Sequence, residues 1–146
     1  MIDQVILLVE DNPDDAELTR LALEESHVAN EMIIVRDGQE ALDWLYCQHQ
    51  HGDRDPCRLP SLVLLDLKLP KISGLEVLQR IRSDPRTRRL PVVILTSSRE
   101  EQDLMRSYDL GANSYIRKPV DYTQFLDAIR QLGIYWMVLN EPPPLP

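Results

Sequence analysis

Five short, mostly apolar runs recur along the chain, and each is followed by a segment with helical spacing. The runs are Gln4-Val5-Ile6-Leu7-Leu8-Val9, Glu31-Met32-Ile33-Ile34-Val35, Leu62-Val63-Leu64-Leu65, Leu90-Pro91-Val92-Val93-Ile94-Leu95 and Asn113-Ser114-Tyr115-Ile116-Arg117. The first, third and fourth are nearly unbroken, as strands must be when helices cover both faces of their sheet. Between them, Asn12-Pro13-Asp14-Asp15 predicts a helix start, with Asn12 as N-cap and Pro13 in the first helical position. That helix is expected to bury Ala16, Leu18, Leu21 and Ala22 and to end near Ser26-His27. Arg36-Asp37-Gly38 turns into a second helix with Ala41, Leu42, Leu45 and Tyr46 inward and Trp44 on its flank. A third, from Gly74 to Ser83, presents Leu75, Leu78 and Ile81 and stops before Asp84-Pro85. A fourth, Arg99 to Tyr108, runs through Leu104, Met105 and Tyr108 to a terminating Gly111, and its acids and modest apolar content predict a loosely held element. The fifth opens at Asp121 with Phe125, Leu126, Ile129, Leu132 and Trp136 on one face. Strand and helix in strict alternation predict a parallel sheet with right-handed crossovers.

Two segments fall outside this rhythm. From Cys47 to Leu59 the chain is polar and irregular, longer than a connection of this kind needs, and reads as a solvated insertion. Cys47, His49, His51 and Cys57 within it match no standard zinc spacing. Arg80, Arg82, Arg86, Arg88 and Arg89 cluster farther on. Such a run is usually a solvated connection, the alternative being a patch that meets an acidic partner.

Composition narrows the options. The 146 residues, 43% hydrophobic and 27% charged, suit one soluble domain, predicted over residues 1–139 with a proline-rich tail at 140–146. A formal charge of −8 and a pI near 4.8 oppose an electrostatic grip on nucleic acid. No apolar stretch approaches the roughly 20 residues that span a bilayer. Asp3 stands where a signal peptide would be basic, so a cytoplasmic protein is expected, with its two cysteines reduced.

The chemistry sits where the strands end, the edge at which open α/β sheets bind ligands. Asp66 follows the third run, and Glu10 and Asp11 follow the first. If those strands are neighbours, three carboxylates converge and require a cation; hard oxygen donors suit Mg²⁺ or Mn²⁺. Thr96 ends the fourth run with a hydroxyl, and Lys118-Pro119 ends the fifth with an ammonium. A carboxylate nucleophile, a charge-neutralising metal, a hydroxyl and a lysine are the parts needed to place a phosphoryl group on Asp66 and hold it there.

Glu10-Asp11, Asp66, Thr96 and Lys118-Pro119, in that order, resemble the receiver domain of two-component response regulators, over about Val5 to Leu132. The resemblance implies a flavodoxin-like (βα)5 doubly wound sheet of order 2-1-3-4-5, which sets the first and third strands side by side. It implies that Asp66 accepts phosphoryl from a sensor histidine kinase, and that Glu10, Asp11, Asp66 and the backbone carbonyl of Lys68 hold Mg²⁺. Thr96 and Lys118 would stabilise the phosphoryl group, Tyr115 matches the aromatic switch position, and Pro119 matches a position that is usually cis. Glu10 in place of the frequent first Asp, Leu69 in place of Met and Ser97 in place of Ala or Gly remove no chemical role. The LLVEDNPDDAELTRLAL start, the long loop before the third strand and the IYWMVLNEPPPLP end resemble the stand-alone regulators paired with bacterial and cyanobacterial phytochromes. Such a protein is a phosphoacceptor that catalyses only its own phosphorylation and dephosphorylation.

Rival readings are weaker. A metal-dependent aspartyl phosphatase needs a second acid two residues after its nucleophile, and Lys68 is there instead. A nucleotide module would want a glycine-rich cradle where Glu10-Asp11-Asn12-Pro13 stands. A docking module that has lost phosphorylation would lack a site residue, and none is missing. Ser97 and Ser98 read as ordinary loop residues. Finally, Ile134, Tyr135, Val138 and Leu139 form a second apolar stripe on the last helix, which predicts a homodimer; the alternative is that the tail folds back over them.

Overall fold

Five parallel strands carry the apolar runs, and the pleat sends alternate residues to opposite faces. The computed structural model describes residues 4–26, 31–55 and 58–144. In β1 (Val5–Val9), Val5, Leu7 and Val9 enter one core cluster and Ile6 and Leu8 the other. β2 (Glu31–Val35), β3 (Leu62–Leu65), β4 (Val92–Thr96) and β5 (Ser114–Arg117) complete the sheet in the order β2-β1-β3-β4-β5. All pairings are parallel, and the register sets Val9 opposite Leu65, so that Glu10 and Asp66 emerge side by side. This is the doubly wound, flavodoxin-like order that the resemblance implied.

Helices cover both faces. α2 (Gly38–Leu45) and α3 (Gly74–Ser83) pack Ala41, Leu42, Leu45, Val77, Leu78 and Ile81 against one side. α1 (Pro13–Glu25) and α5 (Tyr122–Ile134) bring Ala16, Leu23, Phe125, Ile129 and Leu132 to the other. Each fully buried side chain of this size stabilises by about 1.5–3 kcal/mol, so the central strands dominate the stability of the fold. The helix starts are capped as their sequences suggest. Asn12 accepts from the amides of Asp14 and Asp15, Asp37 from Glu40, Ser73 from Glu76 and Asp121 from Gln124. α4 (Glu101–Asp109) is the exception: its cap residue Glu100 makes no side-chain bond, and Ser107 is its one buried residue.

Several expectations need correction. α1 is rotated relative to the predicted face: Leu21 is exposed and Leu18 half-buried, while Thr19 and Leu23 are inside. Thr19 tolerates burial because its hydroxyl donates to the Asp15 carbonyl at 2.7 Å. His27, at the predicted end of α1, lies outside the described residues. α4 starts at Glu101 rather than Arg99, and Met105 and Tyr108 point into solvent. Leu75 of α3 is half-buried, with Val77 taking the interior place. The insertion after α2 is pinned rather than free. Its Arg54 guanidinium lies 3.5 Å from the Trp44 ring centroid and donates to the Trp44 and Arg58 carbonyls, while His49 pairs with Asp43 at 2.9 Å. Arg82, within the arginine run, is a structural clamp that donates to the carbonyls of Gly111, Arg88 and Leu90 and to Asn113.

The Lys118–Pro119 bond is trans, contrary to the cis state expected at Pro119. The trans form of an X–Pro bond is favoured by about 0.5–1 kcal/mol. Lys118 meets its partners from it, with the amide on the Thr96 carbonyl at 2.7 Å and the ammonium among the acids, so no contact demands the cis form.

Two glycines hold the sheet edge close. A Cβ on Gly74 would lie 2.1 Å from the Asp66 carbonyl oxygen and 2.7 Å from the Leu67 Cα, and one on Gly38 would lie 2.0 Å from the Ile72 carbonyl oxygen. Backbone atoms cannot swing aside as side chains do, so Gly74→Ala is expected to cost about 1–3 kcal/mol, the scale of overpacking. The midpoint of urea unfolding measures it, and a midpoint equal to wild type would show that the loop after β3 yields freely.

Candidate functional site at the carboxyl edge of the sheet

The parallel register delivers each functional side chain at the end of a hydrogen-bonded ladder. The amide of Asp66 donates to the Val9 carbonyl at 3.1 Å, that of Glu10 to Val35 at 3.0 Å, and that of Lys118 to Thr96 at 2.7 Å. Glu10, Asp11 and Asp66 therefore meet, each with a carboxylate oxygen within 4.8 Å of the others. Glu10 and Asp66 are buried, whereas Asp11 is exposed at the mouth. The Lys118 ammonium, itself buried, donates to Glu10, to Asp15 at 2.9 Å and to Asp66 at 3.3 Å.

Asp15 is the residue that sequence reasoning missed. Its place in the first turn of α1, where an acid complements the helix dipole, gives it a sufficient local role. The available signal was its place one turn beyond Asp11, where a helix starting at Pro13 brings it back over the strand ends.

Thr96 is fully buried and its Oγ1 accepts from the Ser98 amide at 3.3 Å. Ser98, expected to be an ordinary loop residue, is buried and ties the loop to α4 by donating its hydroxyl to Asp103 at 2.7 Å. Tyr115 is half-buried, its hydroxyl 3.5 Å from the Ser98 carbonyl. Lys68 donates its amide to Asp66 at 3.3 Å, while its ammonium reaches outward to Asp103 at 3.6 Å. Among the described residues, Cys47, His49 and His51 form no ligand cluster, and Cys57 lies outside them.

The charges do not balance. Four carboxylates, those of Glu10, Asp11, Asp15 and Asp66, face one ammonium. Burial pushes the Glu10 carboxyl up to about 7 in spite of the Lys118 hydrogen bond and charge, and the nearby Asp66 adds to the rise. Burial alone would lower Lys118, but Glu10, Asp66 and Asp15 hold it above its ordinary range. An excess of negative charge on clustered, hard oxygen donors fits a divalent cation such as Mg²⁺ or Mn²⁺.

The family model of the response regulator receiver domain matches residues 6–130. The chain belongs to this family. The receiver is 41% identical over 139 residues to the probable methanogenesis regulatory protein FilR2 of Methanothrix harundinacea, covering 95% of this chain and 87% of that one. It is 39% identical over 134 residues to the response regulator Rcp1 of a Synechocystis species, covering 92% and 89%. Among solved structures, the phosphorylated cyanobacterial phytochrome response regulator RcpA superposes with a TM-score of 0.91 at 39% identity, over 98% of this chain and 100% of that one. The Mn²⁺-bound form of Rcp1 gives 0.90 at 37%, over 97% and 99%. The bacteriophytochrome response regulator RtBRR gives 0.77 at 55%, over 98% and 86%. Receiver domains bind a divalent metal and take phosphoryl groups from histidine kinases. No helix among the described residues of this receiver is long and apolar enough to cross a membrane.

The raised Glu10 carboxyl makes a pH-dependent contribution to stability. Its proton is held more tightly in the folded receiver, near 7, than at the ordinary 4.5, so the stability it contributes is full below 4.5 and lost as pH rises through 7. In the presence of EDTA, the unfolding free energy of wild type is expected to fall more than that of Glu10→Gln between about pH 5 and pH 8. Parallel curves would show that Glu10 titrates as an ordinary carboxyl.

Proposed function

We propose that this chain is a stand-alone phosphorylation switch in which Asp66 takes a phosphoryl group from a sensor histidine kinase of the phytochrome type. The observation that carries the reading is the meeting of Glu10, Asp11 and Asp66 within 4.8 Å, with the Lys118 ammonium among them. Glu10, Asp11, Asp66 and the Lys68 backbone carbonyl would hold Mg²⁺, which supplies the positive charge that lets an anionic phosphoryl group approach these acids. An Asp66 carboxylate oxygen attacks the phosphorus of the kinase's phosphohistidine; the P–N bond breaks and its electron pair stays on the imidazole. Lys118, 3.3 Å from Asp66 Oδ2, then pairs with a phosphoryl oxygen. Thr96 supplies a hydroxyl whose proton has no acceptor among the described residues, and it closes on a second phosphoryl oxygen.

Closure of Thr96 pulls on Ser98, and through it on Asp103 of α4 and on the Tyr115 hydroxyl. Tyr115 turns inward and the surface of α4, β5 and α5 changes, which alters affinity for a downstream protein in the cytoplasm. The phytochrome assignment is supported by the likeness to RcpA and RtBRR. A small phosphodonor with Mg²⁺ is expected to add one phosphoryl group, found on the Asp66 peptide by mass spectrometry and absent in Asp66→Asn. Radiolabelled transfer from a phytochrome kinase is expected to outpace transfer from an unrelated histidine kinase. Equal labelling of Asp66→Asn would overturn the acceptor assignment, and equal transfer rates the phytochrome pairing.

The carboxyl-terminal stripe is proposed to pair two copies. Ile134, Tyr135, Val138 and Leu139 are 45–70% exposed, the last three on a wider π-type turn, Tyr135–Leu139, that continues α5. The tail from Pro142 to Pro144 instead lines a cavity with Trp136 and Met137, and the stripe remains exposed. A self-complementary apolar patch of this kind is suited to a two-fold contact. Sedimentation is expected to show a dimer for wild type and a monomer for Tyr135→Glu, Val138→Glu; a wild-type monomer at micromolar concentration, with or without phosphorylation, would reject the contact.

A further inference from the structure

At the end of the sheet opposite the acids lies a cavity of about 360 Å³, within the range of roughly 300–1,000 Å³ typical of small-molecule sites. Trp136 and Met137 line it on one side and Leu59 and Leu90 on another, and the tail from Pro142 to Pro144 forms a further wall. Its charge is opposite to that of the molecule. A chain of net charge −8 places three arginines, Arg58, Arg86 and Arg89, in this lining, and no Asp or Glu among its described residues. Arg58 is paired with Glu31. Arg89 is exposed, and its guanidinium has no hydrogen bond or ion pair with any described residue.

An apolar recess with an uncommitted guanidinium and no competing carboxylate among its described lining residues has the makings of a site for one chemical class. The apolar walls favour a hydrocarbon or aromatic body, and the guanidinium favours a carboxylate or sulfonate head through charge-assisted hydrogen bonds. Neither the phosphoryl chemistry nor the exposed stripe of Tyr135, Val138 and Leu139 uses this cavity, because those residues do not line it. We propose that the cavity between the carboxyl-terminal tail and the amino-terminal ends of β3 and β4 binds a small amphipathic anion, with its apolar body against Trp136 and Met137 and its head on Arg89.

Calorimetric titration of the full-length protein with decanoate, decanol and decyltrimethylammonium tests the proposal. Decanoate is expected to bind one per chain, the alcohol more weakly, and the cation not at all. Arg89→Glu, a change at an exposed position, is expected to weaken decanoate about tenfold, the scale of one charge-assisted hydrogen bond, and to leave decanol unchanged. The change in tryptophan emission on adding decanoate is expected to persist in Trp44→Phe and to vanish in Trp136→Phe. The proposal is overturned if the alcohol or the cation binds as tightly as decanoate, or if Arg89→Glu binds decanoate as wild type does. It is overturned equally if decanoate fails to bind, or binds only a protein kept monomeric by Tyr135→Glu, Val138→Glu, since a second copy would then be the occupant.

Discussion

One ammonium held among buried carboxylates governs the carboxyl edge of the sheet. Lys118 and Glu10 are far apart in sequence and follow strands that are not neighbours, so their contact depends on β3 and β4 being assembled between β1 and β5. Removing Lys118 would leave its acids without their cation, and loss of one partner of a buried ion pair costs about 3–5 kcal/mol. The cluster is nonetheless incompletely neutralised, because the acids outnumber the ammonium. Folding thus concentrates negative charge at one point, where a divalent cation would offset it.

The remainder of the fold keeps those strand ends in register. β1 and β3 bury every residue, so a slip of one position would exchange their two faces and misplace Glu10 relative to Asp66. Gly38 and Gly74 allow the loops behind the edge to approach backbone to backbone. Arg82 binds the end of α3 to the segments before β4 and β5, and Arg54 holds the long insertion against Trp44. These two guanidiniums do the work of core contacts in places where the chain is polar.

Mobility is allotted differently. α4 buries only Ser107 and lacks a side-chain cap, yet it is joined to the Thr96 loop through Ser98 and Asp103. An element weakly held by packing and specifically held by a few polar bonds can be biased by a change of about 1–3 kcal/mol, the usual size of a coupling energy. The proposed switch draws on this contrast between a rigid central sheet and a lightly anchored α4.

Most of the site was legible in the sequence because apolar runs mark buried strands, and a charged residue after such a run must stand at a strand end. Glu10, Asp11, Asp66, Thr96 and Lys118 were recognised in this way, and their convergence followed once the first and third strands were taken as neighbours. The caps Asn12 and Asp121 were equally legible, since capping depends on bonds to amides only a few residues away. Asp15 as a partner of Lys118, the rotation of α1, the trans bond before Pro119 and the roles of Arg54, Arg82 and Ser98 were not. The sequence by itself determined which residues stand at strand and helix ends, because that information is local and periodic. Only the tertiary structure decided which of them touch, because a side chain such as Lys118 chooses among several acids by distances that arise after distant segments have packed.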